Sequence, residues 1–280
     1  MMDRYTLLEK ILMYAAITVF LIFILLPFFE MFMTSLRPLD HLRQAPYQFW
    51  SDRMSFDAYR NMWVTVPQLG TYIFNGVFIA SAVTIVAMIF IIPAAYAYAR
   101  FHFRGKTLSL SLFLAVNMFA GAVLLIPLYR LMRTLGLLNT YYAMIVPGAA
   151  FLVPMGIWLL KSYLEKIPVE LEEAAYVDGA SRFYTLRRVM LPLARPGLIV
   201  VGVSVFIGAY AQQFLFAITF NQNRDYMPLP AGVFEFIGYQ TVIWNEMMAA
   251  SLIGVLPVML IFLFMQRYLI AGLTAGAIKE

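Results

Sequence analysis

The chain has 280 residues, of which 62% are hydrophobic and 12% charged, with a formal net charge of +5 and no cysteine. A soluble domain is about one quarter charged, so this is an integral membrane protein, and the missing Cys excludes disulfides, thiolate nucleophiles and Cys-ligated zinc. The positive charge requires no nucleic acid, because basic loops on the inner face of a membrane account for it.

The first span is expected over about 11–32. It is too long for the apolar core of a cleavable signal, and no small-x-small cleavage site follows it, so it reads as a retained span. Arg4 and Lys10 precede it and favour a cytoplasmic N-terminus. Glu30 near its outer end is expected to reach the interface and be solvated. The polar stretch from Ser35 to Gly70 reads as an external segment with one or two short helices, with Trp50, Tyr59 and Trp63 suited to the membrane interface. His41 and His102 lie far apart in sequence, on opposite sides of the membrane in this reading, and form no metal site.

A second span is expected over about 72–98, with Asn75 as its first polar residue and Pro93 as a kink. Arg100, Arg104 and Lys106 mark the next short loop as cytoplasmic. A third span over about 108–131 carries Asn117 near its middle and Pro127 near its outer end, and Gly136 stops it. A fourth span over about 142–160 contains Pro147 and Pro154, which are tolerated where neighbouring helices or water satisfy the freed carbonyls.

The stretch 161–196 is the longest amphipathic piece of the chain. It reads as two short helices around a bend on the cytoplasmic side. Pro168 suits a first helical position, and Glu170, Glu172 and Glu173 suit the positive end of the helix dipole. Asp178-Gly179 is a stop. Ser181 caps a second helix running from Arg182 to about Met190, on which Phe183, Leu186 and Met190 form an apolar stripe. Pro192 and Pro196 break it. A fifth span is expected over about 198–220, with Tyr210, Gln212 and Gln213 in its outer half. Asn221 to Asn245 is a second external segment, and a sixth span runs over about 247–265. Thirteen of the twenty basic residues fall on the inner side of this arrangement, which places both termini in the cytoplasm. The fold class is therefore all-α: one polytopic transmembrane domain over residues 1–280 with six transmembrane helices.

The order Glu173-Ala174-Ala175, three residues, Gly179, nine residues, Val189, one residue, Leu191-Pro192 resembles the EAA loop of membrane subunits of bacterial ABC importers. Val189 stands where Ile is usual, and Leu186 where the sugar-importer branch often has Phe. Further stretches resemble that carbohydrate-uptake, maltose-type branch: Phe56, Tyr59 and Trp63 in an F-x-x-Y-x-x-x-W pattern, Ala94 to Lys106, Ile126 to Pro147, and the C-terminal tail. Tyr210-Ala211-Gln212-Gln213 departs from the Trp-Asn-Glu-like cluster frequent in the fifth span of that branch. The resemblance implies a type I importer-like fold in the bacterial inner membrane, moving a sugar or sugar-like solute by alternating access. It implies that loop 161–196 couples the chain to a separate ATPase through Glu173, Ala174, Ala175 and Gly179, flanked by Glu172 and Asp178. It implies as partners a second homologous membrane subunit, two ATPase subunits and an extracytoplasmic substrate-binding protein, besides membrane lipid. ATP and Mg would sit on the ATPase, with no cofactor in this chain. Consistently, the chain has no GxxxxGK[ST] phosphate loop and no converging catalytic set, so it is read as a permease subunit and not an enzyme.

Asn75, Asn117, Gln212 and Gln213 are the candidate substrate-pathway residues, since amides suit sugar hydroxyls. The same amides serve equally well as ties between helices. The alternative class is an ion-coupled carrier working without an ATPase. It would need titratable groups deep in the membrane, and the deep polar groups here are amides.

Overall fold

The computed structural model describes residues 6–43, 49–116, 121–238 and 241–274. Helix makes up 81% of it, and among the described residues the only extended pairing is an isolated antiparallel bridge between Ile237 and Val242. Among the described residues five helices are long and apolar enough to cross a membrane: α1 (Leu7–Leu36), α4 (Leu69–Arg100), α7 (Tyr142–Leu164), α11 (Arg195–Phe220) and α12 (Trp244–Thr274, apolar window within 244–266). They match five of the expected spans. Over the third expected span the described residues are helical on both sides of 117–120, as α5 (Lys106–Val116) and α6 (Gly121–Thr134), and Asn117 lies outside the described residues. The last helix continues well past the expected end at 265.

Contacts divide the chain into two units. The first comprises Met1–Leu69 and Val233–Val255. Here α1 begins in a reciprocal cap: Glu9 N–H donates to Thr6 Oγ1, while Thr6 N–H donates to Glu9 Oε2 at 2.7 Å. Two short helices follow, α2 (Leu39–Leu42) and α3 (Asp57–Thr65), as the external segment predicts. Ser35 Oγ and Tyr59 OH, 2.8 Å apart, fasten α3 to the end of α1. Glu30 is not merely solvated. It is ion-paired with the buried Arg37 and accepts from Thr34 Oγ1 at 3.0 Å, because a guanidinium removed from water requires a carboxylate.

The second unit comprises Gly70–Gly232 and Leu256–Glu280. Its core is built on α7 and α11, which pack along one another. Close approach is possible because small residues stand at the contacts. Gly156 lies against Ile91, Gly148 against Val83, Gly208 against Leu152 and Gly197 against the ring of Tyr163. A methyl group at Gly197 would collide with that ring. Tyr163 is the last turn of α7 and Gly197 the first turn of α11, so the two stems of loop 161–196 touch at its base.

Candidate functional site

The loop folds as α8 (Glu170–Val177), a left-handed bend, and a second helical run. α8 starts at Glu170, two residues after Pro168, so the proline precedes the helix and does not open it. Its end is a Schellman-type stop: Gly179 N–H donates to Tyr176 O at 3.0 Å and Ala180 N–H to Ala175 O at 2.9 Å. Gly179 has φ +83, which a residue with a Cβ adopts only under strain. Ser181 caps the next helix by accepting from Tyr184 N–H at 3.3 Å. That helix was expected as one α-segment over 182–190. It is α9 (Arg182–Thr185), then a π-helical turn (Leu186–Met190), then α10 (Leu191–Leu193). The widened turn stands immediately ahead of Pro192, which lacks an N–H and crowds the carbonyl one turn back.

The bend is open to solvent. Glu173, Ala174, Asp178 and Gly179 are exposed and Ala175 is half-buried. Val177 is 87% exposed and Phe183 72%, with Tyr184 beside them. A cavity of about 460 Å³ lies elsewhere, in the first unit, between Pro27, Glu30, Trp244 and Met248. The concavity of the loop itself is larger, about 620 Å³, and is lined by Ala175, Asp178, Gly179, Ser181, Tyr184 and Val189. Apolar side chains held in the open around a hollow make this bend the candidate docking surface of the chain.

Glu172 does not share that surface. It is 3% exposed and turned inward, so it is not a docking contact. Arg100 Nε donates to Glu172 Oε1, Tyr96 OH donates to Glu172 Oε2 at 2.8 Å, and Tyr176 OH lies 3.2 Å from Tyr96 OH. Arg100 Nη2 donates to Ile167 O at 2.8 Å, and Arg182 sits over the Phe101 ring at 5.0 Å. Tyr96, Tyr176 and the inward role of Arg100 are invisible to local pattern. The available signal was the pairing of two i,i+4 polar couples, Tyr96/Arg100 and Glu172/Tyr176.

The candidate pathway amides divide. Asn75 is fully buried and fully engaged: Nδ2 donates to Asp225 O at 2.8 Å and Met227 O at 3.0 Å, and Oδ1 accepts from Tyr141 OH at 2.7 Å. It ties the segment after α11 to α4, so its assignment to the pathway is corrected to a structural one. Tyr141 completes the tie by packing edge-on to Phe78 and Tyr226. Gln213 Nε2 donates to Gly76 O at 2.7 Å, binding α11 to α4, but its Oε1 and that of Gln212 have no partner among the described residues. Asn139 was overlooked. At φ 59 its N–H donates to Phe220 O at 3.0 Å and its Oδ1 accepts from Gln222 N–H at 2.7 Å, closing the end of α11.

A family model described as "Binding-protein-dependent transport system inner membrane component" matches residues 87–274. The chain is 34% identical over 277 residues to the inner membrane ABC transporter permease protein YcjP of Escherichia coli, covering 97% of each. It is 38% identical over 209 residues to the trehalose/maltose transport system permease protein MalG of Thermococcus litoralis, covering 74% of this chain and 75% of that protein. It is 33% identical to the sulfoquinovosyl glycerol transport system permease protein SmoH of Agrobacterium fabrum, covering 96% and 94%. Among solved structures, a bacterial ABC transporter involved in the import of the acidic polysaccharide alginate superposes with a TM-score of 0.76 at 22% identity, covering 94% of this chain and 98% of that one, a likeness of fold.

Proposed function

The chain belongs to the family of inner membrane components of binding-protein-dependent transport systems, and from that premise we propose that it is one membrane-spanning subunit of an ATP-driven importer of a sugar or sugar-like solute. The observation that carries this reading is the open bend of loop 161–196, with Glu173, Ala174 and Gly179 in solvent among unpartnered apolar side chains. The relatives named for trehalose, maltose and sulfoquinovosyl glycerol transport support the solute class.

In this reading Glu173, Ala174, Ala175, Asp178 and Gly179 meet a groove of a cytoplasmic ATPase. Two ATPase subunits bind ATP and Mg, a second related membrane subunit completes the pathway, and an extracytoplasmic binding protein delivers the solute. Both termini face the cytoplasm. ATP closes the ATPase pair, the docked loops move, and the spans open outward. The free acceptors Gln212 Oε1 and Gln213 Oε1 suit sugar hydroxyl donors in the pathway. A carrier working alone draws no support from Glu30, near the end of the first span, because Arg37 already holds that carboxylate.

Purification of the chain from membranes tests the reading. An ATPase and a sister membrane subunit are expected to accompany it, and Glu173→Lys is expected to release the ATPase while the chain still inserts. Isolation of the unmutated chain as a lone unit that transports without ATP would overturn it.

A further inference from the structure

Two adjacent glutamates of α8 face opposite ways, and only one of them faces out. Glu173 stands in solvent, whereas Glu172 is almost wholly enclosed and belongs to a four-residue lock. The lock has a simple construction. Residues four apart lie one above the other on a helix face. Tyr96 and Arg100 make such a couple on the last turn of α4, and Glu172 and Tyr176 make one on α8. The two couples meet face to face through the Arg100–Glu172 ion pair, the Tyr96–Glu172 hydrogen bond and the Tyr96–Tyr176 contact. Arg100 also holds the chain entering α8, through Ile167 O. One residue beyond α4, Phe101 packs edge-on to Tyr96 and lies under Arg182 of α9.

Both halves of the loop are thus gripped by the inner end of a single spanning helix. A buried ion pair is poor evidence of net stability, since desolvation offsets much of its attraction. Parting the two charges is another matter, because each would be left buried and unpaired. Such a contact resists being pulled open more than it lowers the energy of the closed state, which is the property of a mechanical joint. α8 has no comparable polar contact with the other helices of its unit among the described residues.

We infer that the Tyr96/Arg100–Glu172/Tyr176 lock is the transmission joint of this subunit, by which displacement of the docked loop is passed to α4. The four side chains are positioning residues. Tyr96 and Glu172 are buried away from the docking surface; together the four determine that α8 and α4 move as one body. The inference rests on the docking reading of the loop, and the two adjacent glutamates separate them: Glu173 governs whether the ATPase binds, Glu172 whether its movement arrives.

The test uses the whole complex in lipid nanodiscs. The chain lacks cysteine, so Phe74→Cys at the exposed outer part of α4 is its single spin-label site, read with any cysteines of the partner subunits replaced. The label is read with and without ATP, Mg and vanadate. In the otherwise unmutated chain the nucleotide is expected to change the label spectrum. In Arg100→Ala and in Glu172→Gln that change is expected to be lost, while ATPase co-purification and basal ATP hydrolysis remain. The exchanged pair, Arg100→Glu with Glu172→Arg, is expected to regain part of it.

A full label response in either single variant overturns the inference. So does loss of ATPase binding in step with the label response, failure of the exchanged pair to recover, or an outer α4 that never responds to nucleotide. Tyr96→Phe keeps the ion pair and removes one hydroxyl, so it covers the case in which the charge variants do not accumulate. A reduced response is expected from it, and an undiminished one counts against the joint. Retention of the ATPase by Glu173→Lys would defeat the docking reading instead, whatever the label reports.

Discussion

Two polar regions of the second unit use their side chains in opposite ways. Around Asn75, near the start of α4, every hydrogen-bonding group of the amide is matched within the chain, and aromatic rings close over it. Around Gly179, at the bend of the loop, the backbone is matched by the helix stop, but the side chains are left in solvent with Val177, Phe183 and Tyr184 among them. A polar group that is already satisfied holds the fold. Apolar groups left uncovered on an ordered bend add nothing to the fold and are open to contact from outside. The difference in satisfaction, and not polarity itself, separates architecture from function in this chain.

The sharpest way to test that contrast is to injure each region and read both stability and coupling. Glu173→Lys should cost about 2–5 kcal/mol of docking free energy, as for a truncated or reversed interfacial charge. It should leave the thermal unfolding of the detergent-solubilised chain nearly unmoved. Asn75→Leu should do the reverse. It strands two carbonyls and a hydroxyl in a buried site, so about 3 kcal/mol of stability should be lost in the same melting assay. The ATPase should still bind to whatever fraction folds. Gly179→Ala should cost about 1–2 kcal/mol, because the left-handed conformation meets a Cβ. It should lower both ATPase binding and local order, seen as faster amide exchange over residues 176–181.

Ser181→Ala removes a single cap and should cost about 1 kcal/mol, with the same exchange signature confined to α9. The smallest effect is expected in the first unit, at the exposed Asp40–Arg53 pair, 2.5 Å apart. The hydrogen bond from Arg53 holds the Asp40 carboxyl below its ordinary value. A carboxyl lowered on folding favours the folded state above its ordinary value, and that contribution fades as pH falls through the lowered one. Arg53→Ala should therefore lower the melting temperature slightly at neutral pH and leave it unchanged below the lowered value, so that the acid limb of the profile is flatter.

Much of this was legible in the sequence because it is local. Five long apolar runs produced five long helices at the expected places, and Asp178-Gly179-Ala180-Ser181 contains its own stop and cap. The π-helical turn was less legible: a proline announces that something must give, but not that the preceding turn widens. The inward turn of Glu172 depends on Arg100, which is far away in sequence, so no window over the loop contains the partner that buries it. Asn75 shows the same limit. An amide in a span reads alike whether its partners are a solute or the carbonyls of Asp225 and Met227.

The contact of Gly197 with Tyr163 has a thermodynamic consequence for the loop those residues bracket. With its two ends pinned against each other, its bend stopped by Gly179 and its first helix fastened to α4, the loop has already given up its conformational entropy in the free subunit. A partner therefore meets a surface that needs no further ordering, and the gross contact energy is not diminished by the cost of folding a segment on arrival. Association at this bend should carry the heat-capacity change of the area it covers and little more, unlike a segment that folds as it binds. The glycine that lets two helices touch in the membrane thus also fixes how strongly a protein outside the membrane can be held.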